Sequence, residues 1–272
     1  MYVVNMDLRE IIKDAIYYPI GDNRKFLIFC ALIILMSLST VLPSYGVDNE
    51  TLNIILTLVT LIVAFVVLGY LVEVIKGGTN GEDTLPDMDY VKHFIMGIKA
   101  MCLEIVYFII PLLITIIVAS ASGLFSSFTE IVYSSIHTME NGTQNVTTIM
   151  AAIPQSSINT FSNALTITLI IGTILFVIFS LLSFTGIVRY AKTGSGTEGL
   201  RFRQIIKDMR KIGFAKIIVT LVAIYVIAFI FVIIIVLMGL IPYIGVFIGI
   251  FFAIPFTLLF LTRAVGLLYA DA

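Results

Sequence analysis

Residues 214–241 read FAKIIVTLVAIYVIAFIFVIIIVLMGLI, and this stretch decides the fold. Lys216 is its one charge, and the residues after it are almost all aliphatic or aromatic. A helix crossing the hydrocarbon layer needs about 20 mostly apolar residues. In lipid the backbone must satisfy its own hydrogen bonds, and the stretch lacks the alternating polarity of a barrel strand. The reading is therefore a membrane-spanning helix. It continues after Pro242 into a second apolar run, Tyr243 to Leu268. Together the two runs are far too long for one span, so the proline marks a tight turn.

Working outward, four more runs qualify: Phe26 to Leu42, Leu52 to Ile75, Phe94 to about Ala121, and about Ala164 to Val188. The expected fold class is all-α, a polytopic membrane bundle of about six helices forming one membrane domain over residues 1–272. Composition agrees. Apolar residues make up 60% of the 272 positions and charged ones 12%, against roughly 45–50% and 25% in soluble domains. No water-soluble fold could cover that apolar excess. The first span is too long for a signal-peptide core and has no clear cleavage site, so it is expected to be retained.

Orientation follows from the 16 basic residues. Arg9, Lys13, Arg24 and Lys25 precede the first span. Lys76, Lys92 and Lys99 surround the loop after the second. Arg189, Lys192, Arg201, Arg203, Lys207, Arg210, Lys211 and Lys216 surround the loop after the fourth, and Arg263 lies near the end of the sixth. The other three loops carry none. The positive-inside rule then places both chain ends and these two loops in the cytoplasm of a cell membrane. Asn49, Asn141 and Asn145 begin N-x-T triplets, and all three fall in the loops assigned outside.

Two segments are expected to lie on the cytoplasmic membrane surface. In 7–18, Leu8, Ile11, Ile12, Ala15 and Ile16 share one helical face, and Arg9, Glu10, Lys13 and Asp14 the other. In 200–212, Phe202, Ile205, Ile206, Met209 and Ile212 form the apolar stripe. Arg201, Arg203, Lys207, Arg210 and Lys211 are candidates for anionic lipid, unless they serve only to set topology. The acidic loop Glu82, Asp83, Asp87 and Asp89 is a candidate to dock on that basic helix, with Asp87 or Asp89 capping the third span. Residues 122–163 form an outer loop. Phe125, Phe128, Ile131, Val132 and Ile136 predict that the third span continues outward as an amphipathic helix, with a mobile tip at Asn141–Thr148.

Glu104 is the costliest residue. It lies about ten residues, roughly 15 Å, into the third span. A carboxylate at that depth costs several kcal/mol unless protonated, paired or hydrated. It is either a proton or cation site or a structural partner, and Arg263 is the expected partner. Pro111 and Pro255 are expected to bend their helices. Gly245 and Gly249 form a GxxxG that allows close helix approach, either inside the bundle or between copies in a homo-oligomer. Cys30 and Cys102 sit in apolar runs and read as buried small residues. His93 and His137 fall on opposite sides. No metal site, cofactor motif, catalytic constellation or nucleic-acid pattern is present.

A repeat runs through the middle. Gly69 and Gly186 lie near the ends of the second and fourth spans. Leu85 and Leu200 follow Gly-rich loops, and Gly97-Ile98-Lys99 and Gly213-Phe214-Ala215-Lys216 enter the next spans. The Tyr18-Pro19 turn, the loop Gly81-Glu82-Asp83-Thr84-Leu85-Pro86-Asp87 and Gly97 resemble the prokaryotic, mainly archaeal, membrane family called domain-of-unknown-function 4013. The resemblance implies a helical membrane protein and carries no activity or site residues with it. Three roles follow in order: a non-enzymatic envelope or lipid-interacting scaffold partnered by membrane lipids, a small transporter or permease using Glu104, and an enzyme acting on lipid.

Overall fold

The computed structural model describes residues 6–47, 49–140, 142, 145–241 and 244–270. Every element among them is helical. In chain order they are α1 (Leu8–Tyr17), a 3-10 turn (Tyr18–Ile20), α2 (Asn23–Ser44), α3 (Glu50–Asn80) and α4 (Tyr90–Ala121). There follow α5 (Leu124–Glu140), α6 (Val146–Ala152), α7 (Gln155–Thr193), α8 (Gly196–Gly199) and α9 (Phe202–Ile212). The last are α10 (Phe214–Gly239), α11 (Ile244–Ile248), a π-helical turn (Gly249–Ala253) and α12 (Ile254–Leu268). Six stretches are long and apolar enough to cross a membrane: α2, α3, α4, α7, α10 and Gly249–Leu268. The protein is an all-α, multi-pass membrane protein. Asn141 and residues 242–243, where the tight turn is expected, lie outside the described residues.

The chain divides into two compact units, Met1–Leu103 with Phe184–Ala272, and Glu104–Ser183. In the first, α2, α3 and α12 share a core of Phe26, Phe29, Ile33, Val66, Tyr70 and Leu259, with Phe29 stacked on Tyr70 at 5.1 Å. The amphipathic α1 starts with a reciprocal cap. The Glu10 N–H donates to Asp7 Oδ1 (2.8 Å), and the Asp7 N–H donates to Glu10 Oε2 (3.0 Å). Its apolar residues Ile11 and Ala15 are buried against Ile224 of α10 and Phe260, Ala264 and Leu267 of α12. The expected apolar face is thus covered by protein helices.

Pro255 sits just after the π-helical turn. A proline gives no N–H and crowds the turn before it, and the wider π turn accommodates this. Gly245 and Gly249 both face α10: an added Cβ on Gly245 would run into the Met238 carbonyl, and one on Gly249 would lie 3.4 Å from Ile235. This seam is used within the chain.

In the second unit, α4 and α7 run antiparallel, with Thr115 beside Gly172 and the Phe108 and Phe176 rings 6.0 Å apart. Pro111 lies within an unbroken α4, where the Thr115 hydroxyl donates to its carbonyl (2.7 Å). The third span does not continue outward as expected. It stops at Ala121, and Gly123 at φ +81° turns the chain into a separate helix, α5. A left-handed residue at this point ends a helix, and glycine adopts it without steric cost. Within the expected tip, Thr143 and Gln144 lie outside the described residues, and Val146–Thr148 open α6.

Candidate functional site

Two clusters of charged groups stand out in the first unit. The first surrounds Arg263, which is 1% exposed. Its Nε donates to Asp14 Oδ1 (2.7 Å), and Nη2 lies 3.2 Å from Asp14 Oδ2 and 3.5 Å from Asp83. Nη1 donates to the Glu82 carbonyl, and the guanidinium lies 4.4 Å from the centroid of the Tyr18 ring. A buried guanidinium is stable only when its fork of donors is matched, and this set matches it. The sequence offered Glu104 as the partner of Arg263, whereas the structure supplies Asp14. Asp14 was assigned to the water-facing side of α1. Its pairing needs α1 folded down on α12, which is a tertiary fact.

The same knot holds the loop between α3 and α4. Four of its backbone carbonyls receive side-chain donors from other elements. Arg263 takes Glu82, the Tyr18 hydroxyl takes Thr84 (3.1 Å), Lys25 takes Leu85 (2.7 Å) and the Tyr70 hydroxyl takes Pro86 (3.2 Å). Lys25 also pairs with Asp87 at 3.0 Å. Most of the loop's residues are exposed, with Leu85 buried, and these four donors fix the path of its backbone. Close contact of α3 and α12 makes room for it, since a Cβ on Gly78 would lie 2.9 Å from Gly266 Cα. Burial pushes the Tyr18 phenol up to about 12; Arg263 opposes that, and Glu82, Asp14 and Asp83 add to it. The acidic loop therefore docks on Arg263, Tyr18 and Lys25, elements remote in sequence. Asp83 and Asp87 find their cations in Arg263 and Lys25. Asp89 caps α4 as expected, accepting from the Lys92 N–H (3.1 Å).

The second place surrounds Arg189 on α7. Nη1 donates to Asp208 of α9 and Nη2 to Glu198 of α8, both at 2.7 Å. Glu198 also pairs with Arg201. Beside them the Tyr269 and Thr185 hydroxyls share a buried hydrogen bond of 2.7 Å. This clamp orients α9. Ile205 and Met209 are buried, and Arg201, Arg203, Lys207, Arg210 and Lys211 are all exposed. Among the described residues, the last four have no carboxylate partner. Gly213 alone separates α9 from the start of α10.

A cavity of about 380 Å³ opens beside the start of α2, lined in part by Arg24, Lys25, Tyr70, Asp87 and Tyr90. Arg24 is exposed and has no ion-pair partner among the described residues. Glu104 belongs to the second unit. It is half-buried on α4 and has no hydrogen-bond or ion-pair partner among the described residues. Cys30 is buried and Cys102 exposed, so only the first fits the expectation of buried residues. His93 is buried, its Nδ1 accepting from the Asp89 N–H (3.3 Å). Asn49 and Asn145 are helix N-caps, accepting from the Leu52 N–H (3.0 Å) and the Thr147 N–H (2.9 Å). That role gives both asparagines a structural reason independent of any sugar.

The family described as "Protein of unknown function (DUF4013)" matches residues 52–242. An uncharacterized protein, MJ1189, of the archaeon Methanocaldococcus jannaschii is 29% identical over 139 residues, covering 40% of this chain and 48% of that protein. The chain thus spans about half the length of that relative. No solved structure matches the chain.

Proposed function

The chain belongs to this family of proteins of unknown function, and on that premise we propose a non-enzymatic scaffold that engages anionic lipid at the cytoplasmic face of a prokaryotic cell membrane. The observation that carries the reading is the face of α9. Five cations stand exposed on a helix whose other face is buried and whose end is one residue from a span. Each basic residue near an anionic surface contributes about 1 kcal/mol. The acids that could neutralise this face are already engaged, Asp208 with Arg189 and Glu198 with Arg189 and Arg201, which leaves Arg203, Lys207, Arg210 and Lys211 for phosphate groups. The cavity lined by Arg24 adds a headgroup-sized opening at the start of α2.

The test is lipid composition around the protein in nanodiscs of mixed neutral and anionic lipid, read by native mass spectrometry. The native protein is expected to retain anionic lipid, less so at high salt. Arg203→Gln, Lys207→Gln, Arg210→Gln and Lys211→Gln combined should abolish the enrichment. Unchanged enrichment in that variant would reject the reading.

The second reading is a transporter coupled through Glu104. Its support is that this intramembrane acid has no polar partner among the described residues. Proton- or cation-coupled flux in proteoliposomes that disappears in Glu104→Gln would favour it over the scaffold. Equal behaviour of the two proteins would remove it.

A further inference from the structure

We propose that α5 lies along the membrane surface, with its bulky apolar face resting in the lipid headgroup and acyl boundary. The helix has three faces. At about 100° per residue, Ser127, Ile131, Ser134 and Thr138 make one stripe, and this is the side turned into the protein: Ser127 is buried and the other three half-buried. A second stripe, roughly 150° away, holds Phe125, Val132, Ile136 and Met139, all exposed. The third holds Ser126, Glu130 and His137, also exposed.

This is the reverse of a water-facing helix, which buries its large apolar residues and exposes its small polar ones. Here three of the four inward residues are Ser or Thr, with Ile131 the fourth, and the large apolar residues Phe125, Val132, Ile136 and Met139 stand outside. A helix lying beside its spans has such a cross-section: one face to the protein, one to lipid and one to water. The lipid assignment rests on two further observations. First, the apolar stripe is continuous in the chain with the exposed apolar surface of the span before it, which ends with Ile116, Ile117 and Ala121.

Second, α5 does not run back along α7. A Cβ on Gly123 would lie 3.5 Å from Thr160, and Phe128, five residues on, has its ring 6.0 Å from that of Phe161. Packing along α7 in either sense would have moved the contact by roughly 7.5 Å, toward residue 155 or residue 165. The helix therefore crosses α7 steeply, as a helix lying in the membrane plane would.

The chain contains no tryptophan, so single tryptophans report without background. Phe125→Trp and Ile136→Trp are placed on the apolar stripe and Ser126→Trp on the polar one, all at exposed positions. Each protein is reconstituted in vesicles of phosphatidylcholine brominated at the upper acyl chain, and separately exposed to iodide. The expected result is a severalfold greater loss of emission to the brominated lipid at 125 and 136 than at 126, with the reverse order for iodide. Equal iodide quenching at all three positions would overturn the proposal in favour of a water-exposed helix. Shielding of 125 and 136 from both quenchers would overturn it in favour of a second protein copy on that face.

Discussion

The acidic loop after α3 and the basic segment after α7 each join two spans, and they are anchored in opposite ways. The acidic loop is held by donors from outside itself: Arg263 of α12, Tyr18, Lys25 of α2 and Tyr70 of α3. Its anchor, Arg263, is 1% exposed, and its carboxylate Asp14 is 249 residues away. The basic segment is held by two of its own acids, Glu198 and Asp208, on an arginine within 19 residues that is 21% exposed. The first arrangement uses up its charge in closing the fold. The second uses its acids locally and leaves its cations facing outward. Where charge is consumed internally the region is structural, and where it is left over it is available to a ligand.

That contrast can be broken most directly at Arg263. Arg263→Gln removes a buried cation and leaves Asp14 and the Glu82 carbonyl unmatched. Breaking such a pair is expected to cost about 3–5 kcal/mol, measured by unfolding of the purified protein in detergent. Arg189→Gln should cost less, about 1–2 kcal/mol, because water reaches its partners. It should also increase proteolytic cutting between α8 and α9. Equal losses in the two variants would end the distinction.

Tyr18→Phe sharpens the picture of the knot. It keeps the ring under Arg263 and removes the hydroxyl bond to Thr84, an expected loss of about 1 kcal/mol. The phenol is raised from 10.0 to about 12 by burial. The fold therefore holds its proton more tightly than the unfolded chain does. That stabilisation is complete below pH 10 and is lost as the pH rises toward 12. Tyr18→Phe should lose less stability than the native protein across that window in alkaline unfolding. The smallest effect belongs to Arg201→Gln. Its pair with Glu198 is 62% exposed on the arginine side, so the change should stay below about 0.5 kcal/mol.

The six spans were legible because lipid imposes a length and an apolarity that residues such as 214–241 meet without ambiguity. The exposed cations of α9 were legible from helical periodicity for the same reason. The partner of Arg263 was not. Asp14 has the sequence pattern of a surface acid, and only the packing of Ile11 and Ala15 on α12 brings it to the guanidinium. The docking of the acidic loop was missed likewise, since proximity in charge does not say which cation is near. Other signals were available. Gly123 after an apolar run is a helix stop, and Asn49 and Asn145 stand where an N-cap belongs. The inward and outward faces of α5 are told apart by burial, which sequence periodicity alone does not assign.

A double-mutant cycle between Asp14 and Arg263 tests the central claim, that these two residues tie the first helix to the last. Unfolding free energies are measured for the native protein, Asp14→Asn, Arg263→Gln and the double variant. A coupling of at least about 1.5 kcal/mol is predicted, as for residues in one buried network. Losses that simply add would contradict it.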